Sequence, residues 1–172
     1  MSPRAVTSLR PWLIALTLAC SPPVPAQQAY ALTAQPAPDF ALHATMGENV
    51  RLSEHRGDVI VLSFWSARCY PCRAQLTALN KSLATYHSAG LSIFGIGVDD
   101  DQAKSSDFAH SVAVGFPLLL DPTKAVSRSY QVDNLPMTVL IDRNGTVRYA
   151  LREFSAANTA LYLQQLRALL NE

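Results

Sequence analysis

One junction constrains this chain more than any other. The run Val59-Ile-Val-Leu-Ser-Phe-Trp65 is followed three residues later by Cys69-Tyr70-Pro71-Cys72, and then by a polar, periodic stretch. The first run is rich in β-branched and aromatic residues and reads as a central strand covered on both faces. Beyond it, Cys72, Leu76, Leu79, Leu83 and Tyr86 recur at steps of four, three, four and three, which is one stripe of a helix. A thiol at such a strand-to-helix joint meets unpaired backbone N–H groups and the positive end of the helix dipole, both of which favour a thiolate. Cys69 falls at that open end and Cys72 on the inward stripe. Spacing therefore predicts an exposed attacking thiol and a shielded second thiol placed to resolve a mixed disulfide.

The rest of the chain alternates strands with helices. Phe40-Ala-Leu42 and Val50-Arg-Leu52 flank Met46-Gly-Glu-Asn49 as a short hairpin, and Ser53 to Asp58 is a polar turn. Gly90 stops the helix that starts at the cysteines. Leu91 to Val98 reads as a second buried strand, and Asp99-Asp100-Asp101 opens a helix to about Val114. Phe116 to Leu120 is a short strand and Lys124 to Tyr130 a helical turn or two. Met137 to Ile141 and Thr146 to Arg152 are strands joined through the Asn144-Gly145 turn. Ser155 caps a last helix expected to carry Ala160, Leu163, Leu166 and Leu170 inward. This order indicates an α/β architecture, a mixed central sheet flanked by helices, with an N-terminal hairpin and a central strand–helix insertion.

The N-terminus carries an export pattern. Arg4 and Arg10 precede the apolar core Trp12 to Cys20, which Pro22, Pro23 and Pro25 cut short of a bilayer span. Val24-Pro25-Ala26 is a small-residue cleavage site, so residues 1–26 are read as a signal peptide, with Gln27 as the new N-terminus. Residues 27–38, rich in Ala, Gln and Pro, read as a flexible leader, and 39–172 as one folded domain. An uncleaved segment, or acylation at Cys20, would give a membrane-anchored form. Cys20 fits an acylation box poorly, because Thr17 and Leu18 stand where Leu and a small residue are usual.

Cleavage removes two of 14 basic residues and none of 13 acidic ones, leaving a charge near −1. Nothing in that balance recruits nucleic acid or an anionic membrane. Only Cys69 and Cys72 then remain, too few for a disulfide framework, and the loop they close is too small to be a strong staple. A structural zinc site needs four ligands, whereas His43, His55, His87 and His110 are scattered singly.

The segment Phe64-Trp-Ser-Ala-Arg-Cys-Tyr-Pro-Cys-Arg73 resembles the active-site segment of thioredoxin-fold proteins. Leu52-Ser-Glu-His-Arg-Gly57 before the strand, and Pro136-Met-Thr-Val-Leu-Ile-Asp-Arg-Asn-Gly145 later, are similar to the exported TlpA/ResA-like branch of that family. The resemblance spans residues 36–170. It implies a thioredoxin fold, a cis peptide bond before Pro136, and substrate contact through Leu135, Pro136 and Met137. Two positions depart from the family pattern. Ser63 replaces a buried Asp six residues before the first Cys, and Gln75 replaces a Glu six residues after it. Neither substitute titrates near neutral pH.

The function implied is thiol–disulfide exchange at Cys69 and Cys72, with no cofactor beyond that redox-active pair. Arg68 and Arg73 are expected to favour the Cys69 thiolate, Tyr70 to shape partner contact, and Pro71 to suit a reductase, since strong oxidants of the fold carry His there. Protein disulfides or dithiols are the expected partners, acted on by a monomer in the bacterial periplasm. A reductase there needs a membrane thiol electron donor. Apocytochrome c thiols and metal-site assembly proteins are the substrates that the resemblance suggests.

Other readings stay open at this point. Disulfide oxidase or isomerase activity uses the same residues. A redox-inactive binding module would use the same surface. A peroxiredoxin-type peroxidase is suggested by Gly115-Phe-Pro-Leu-Leu-Leu-Asp-Pro122, although Leu62 and Ser66 stand at the Pro and Thr positions of the P-x-x-x-T-x-x-C pattern.

Overall fold

The computed structural model describes residues 30–172. At its centre lies β3 (Val59–Trp65), buried along its whole length. It pairs in parallel with β4 (Leu91–Gly97) and antiparallel with β6 (Met137–Ile141). Outward from these, β4 pairs in parallel with β5 (Leu118–Leu120), and β6 antiparallel with β7 (Val147–Leu151). The hairpin of β1 (Ala41–Ala44) and β2 (Val50–Arg51) joins β5, so the mixed sheet runs β2-β1-β5-β4-β3-β6-β7. Four helices cover it: α1 (Tyr70–Tyr86), α2 (Gln102–Val112), α3 (Ala125–Ser129) and α4 (Ala156–Leu170).

Strand alternation divides the core in two. Val59, Val61 and Trp65 pack with Cys72, Leu76 and Leu79 of α1, Ala109 of α2, and Leu166 and Leu169 of α4. Ile60, Leu62 and Phe64 point the other way, toward Phe40, Val126 and Tyr130. Each large apolar side chain buried this completely contributes about 1.5–3 kcal/mol, which makes β3 the anchor of both layers.

The end of β3 is held with particular care, and that end leads to the cysteines. Trp65 stacks on Phe108 of α2, with ring centroids 5.0 Å apart. Its other face lies on the backbone of β4, where a Cβ at Gly97 would come within 2.8 Å of the indole ring. Glycine is therefore required at 97 for Trp65 to lie flat. Gly90, at φ 85°, ends the 3-10 turn that follows α1, in the left-handed conformation expected of a helix stop.

Two expectations are corrected. Residues 30–38, read as part of a flexible leader, are docked from Tyr30 onward. Val147 N–H donates to the Gln35 carbonyl at 2.9 Å, Ala34 N–H to the Val147 carbonyl at 2.8 Å and Ala37 N–H to the Gly145 carbonyl at 2.9 Å. Tyr30 and Ala37 are buried, and the Tyr30 hydroxyl donates to the Tyr130 carbonyl at 2.6 Å. Burial pushes the Tyr30 phenol up to about 12. In α4, which Ser155 does cap, the inward face carries Tyr162, Leu166 and Leu169, while Ala160 is exposed and Leu163 and Leu170 are only half-buried. The aromatic ring at 162 outweighs the alanine at 160 in setting the phase. The expected signal peptide, its cleavage site, Cys20 and Gln27 all lie outside the described residues.

Candidate active site

Cys69 is the N-cap of α1, in extended conformation, and Pro71 sits in the first turn, where a missing N–H costs nothing. Cys69 and Cys72 are joined by a disulfide, S–S 2.04 Å, with Cα atoms 5.4 Å apart. Their exposures differ as the helical spacing predicts: Cys69 is half-buried and Cys72 fully buried. Tyr70 between them is 96% exposed and touches solvent rather than the fold.

The turn before Cys69 is clamped by Asp99, which its sequence position suggests for helix capping. Asp99, just past β4, accepts a hydrogen bond from the Ser66 hydroxyl at 2.6 Å, from the Ala67 N–H at 2.8 Å and from the Ser105 hydroxyl at 3.0 Å. Ser66 Oγ in turn accepts from the Arg68 N–H at 3.1 Å. Hydrogen bonds to an ionised group are among the stronger ones available, so one carboxylate fixes the turn that carries Cys69. The capping role falls to Asp101, which accepts from the Lys104 N–H. No local signal separates these neighbouring aspartates, because the partners of Asp99 in the turn lie more than thirty residues away in sequence.

The inward side of α1 is neutral. Ser63 and Thr138 face each other in the β3–β6 register. Gln75 spans them: the Ser63 hydroxyl donates to its Oε1 at 3.1 Å, and its Nε2 donates to Thr138 Oγ1 at 2.5 Å. All three are buried. The two departures from the family pattern thus meet in one hydrogen-bonded chain, completed by Thr138, whose part spacing alone does not reveal. Gln75 lies one helical turn from Cys72 on the same face of α1.

The outward side is charged. A cleft of about 590 Å³ opens beside Cys69, lined by Arg68, Lys124, Arg128, Asp133, Asn134 and Leu135 among others. The Leu135–Pro136 bond is cis, as the resemblance implied. Of the three residues named for substrate contact, Leu135 lines the cleft, Pro136 is buried behind it, and Met137 is fully buried in the core. The Met137 side chain therefore offers no surface to a partner, because it is the first residue of a central strand. Arg73 is also corrected. Its guanidinium bonds the Ser111 carbonyl at 3.0 Å and the Ser111 hydroxyl at 2.8 Å, and lies 4.9 Å from the Phe108 ring centroid, so it ties α1 to α2. Arg68 stays at the cleft.

At the peroxidase-pattern positions, Leu62 is buried within β3, and the Ser66 hydroxyl is spent on Asp99. Neither of these two positions therefore offers a free polar group of the kind the peroxidase pattern carries.

Known proteins agree with this geometry. The chain is 35% identical over 112 residues to thiol-disulfide oxidoreductase ResA of Geobacillus kaustophilus, covering 65% of this chain and 64% of that protein. It is 32% identical over 111 residues to ResA of Bacillus subtilis, covering 64% and 62%. It thus spans somewhat less than two thirds of the length of these relatives. A crystal structure from Chlorobium tepidum, provisionally described as thiol:disulfide interchange protein DsbE, superposes with a TM-score of 0.77 at 33% identity, covering 80% of this chain and 97% of that one. The AhpC/TSA family model matches residues 33–150. With a mixed sheet, a cysteine pair opening α1 and a cis proline beside it, this chain belongs to the AhpC/TSA family of thioredoxin-fold proteins.

Proposed function

We propose that this protein is a thiol–disulfide oxidoreductase that reduces disulfides of exported proteins. The observation that carries the reading is the unequal setting of the two sulfurs, with Cys69 open at a helix N-terminus and Cys72 sealed one turn behind it. In the reduced form the Cys69 thiolate attacks one sulfur of the substrate disulfide. That S–S bond breaks, the departing thiolate takes a proton, and a mixed disulfide forms. Cys72 then loses its proton and attacks Cys69 Sγ, releasing the second substrate thiol and closing Cys69–Cys72. The substrate gains two electrons and two protons; both electrons come from the cysteine pair, one proton from Cys72, and the other from water, to which Cys69 gave it on ionising.

Helix α1 supplies the N–H groups and dipole that favour the Cys69 thiolate, with the Arg68 charge beside it. Nothing in the Ser63–Gln75–Thr138 chain accepts the Cys72 proton outright, so that proton goes to the departing substrate thiolate or to water. Export to the periplasm, a monomeric state and a membrane thiol donor that resets the pair complete the proposal. They rest on the N-terminal pattern and on the need of any reductase for electrons outside the cytosol.

The test is the reduction potential of the Cys69/Cys72 couple, measured by equilibration with dithiothreitol or glutathione buffers. A value near about −270 mV supports a donor-dependent reductase, and one near about −120 mV makes the protein a disulfide donor instead.

A further inference from the structure

We infer that the cleft beside Cys69 selects substrate segments that carry Asp or Glu next to the disulfide-bonded cysteine. This deepens the reductase reading and rests on it. Among the described residues three cations line the cleft, Arg68, Lys124 and Arg128, with one anion, Asp133. Asp133 is already paired with Arg152 at 3.3 Å, and Lys124 with Asp100 at 2.9 Å. Arg68 and Arg128, both exposed, make no side-chain hydrogen bond or ion pair among the described residues. Asp99 sits behind the turn with both oxygens taken by Ser66, Ala67 and Ser105. The uncompensated charge beside Cys69 is therefore positive.

Arg128 is held in place from within. Buried Asp121 accepts the Ser127 N–H at 2.7 Å, fixing the short helix α3 on which Arg128 stands. Exposed guanidiniums give little static affinity, but they steer an oppositely charged partner into a reactive encounter and reject a like-charged one. The developing thiolate of the departing substrate cysteine is stabilised by the same field. A segment with a carboxylate beside its half-cystine meets Arg68 or Arg128 as its sulfur reaches Cys69.

The experiment uses three peptide disulfides that differ only in the residues flanking the cysteine, acidic, neutral or basic, and reads kcat/KM for their reduction by the protein. The acidic peptide is expected to react about tenfold faster than the basic one at low salt, with the ratio shrinking toward unity at high salt. R128E should lower that ratio several-fold and R128Q about half as far. R128Q also serves if the charge reversal disturbs folding. Equal rates for the acidic and basic peptides at low salt, or a ratio untouched by either variant, overturns the inference while leaving the reductase reading intact. Failure of the fully reduced protein to reduce any of the three overturns the reductase reading, and the selectivity falls with it.

Discussion

Around Cys69 the side chains are charged and in contact with water: Arg68, Lys124 and Arg128 line the cleft, and Asp99 holds the turn from behind. Around Cys72 they are neutral and sealed: Ser63, Gln75 and Thr138 form one buried chain under α1. Two sulfurs of one disulfide, three residues apart, are thus governed by different physics. On the proposed mechanism the attacking thiol, Cys69, lies among charges that salt screens. The resolving thiol is surrounded by dipoles that cannot change protonation. On the proposed mechanism this arrangement separates the step that chooses a substrate from the step that releases it.

The largest expected effect comes from breaking the two sides individually. Cys69→Ser should abolish disulfide reduction, whereas Cys72→Ser should still attack and then accumulate the mixed disulfide, visible by mass spectrometry as a stable adduct. Equal loss with no adduct would mean that the two thiols do not have separate roles.

Gln75→Glu tests the neutrality of the inner side. A carboxylate at this buried position should have its pKa raised by desolvation. Its stabilising, protonated form persists below about 4.3, and stability is then lost as pH rises through the raised value. We expect a cost of about 1–3 kcal/mol at neutral pH, read from urea melts, and a new titration in the rate profile. A variant as stable as the parent at all pH values would show that the inner side tolerates charge.

Asp99→Ala should cost about 1–3 kcal/mol by orphaning the Ala67 N–H and two hydroxyls. Asp99→Asn keeps most of the shape and removes the charge, so the Cys69 thiolate should become easier to form, as read by its ultraviolet titration. If both variants leave that titration unchanged, Asp99 only holds the turn.

The smallest effect belongs to Tyr162, buried beside Ser82 but outside hydrogen-bond geometry, whose phenol burial pushes up to about 12. Sites raised in the folded state stabilise fully below their ordinary value and lose that contribution as pH climbs through the raised one. The protein should therefore weaken between about pH 10 and 12. Tyr162→Phe should be near neutral at pH 7 and lessen the alkaline loss. An unchanged alkaline melt would assign that loss to other groups.

The strand–helix junction was legible because its signals are local: an apolar run, a cysteine pair and a helical stripe that share one register. The division between an open Cys69 and a closed Cys72 followed from the same spacing. What stayed hidden depends on distant partners. Arg73 is adjacent to Cys72 in sequence but turns to Ser111. Asp99 looks like any helix-opening aspartate until folding brings Ser66 beside it. Residues 30–38 carry no period of their own, and only the turn and strand at Gly145–Val147 give them a place to lie.

That docked segment has a consequence for how the molecule meets its neighbours. β7 ends the sheet on one side, and a bare end strand is a template on which another chain can build. Residues 34–37 occupy the start of that edge through Ala34, Gln35 and Ala37 and the bridge from Pro36 to Thr146. At the opposite border β2 is only two residues long. Among the described residues neither margin leaves a long unpaired strand, so another chain finds little template for edge-to-edge pairing at either side of the sheet.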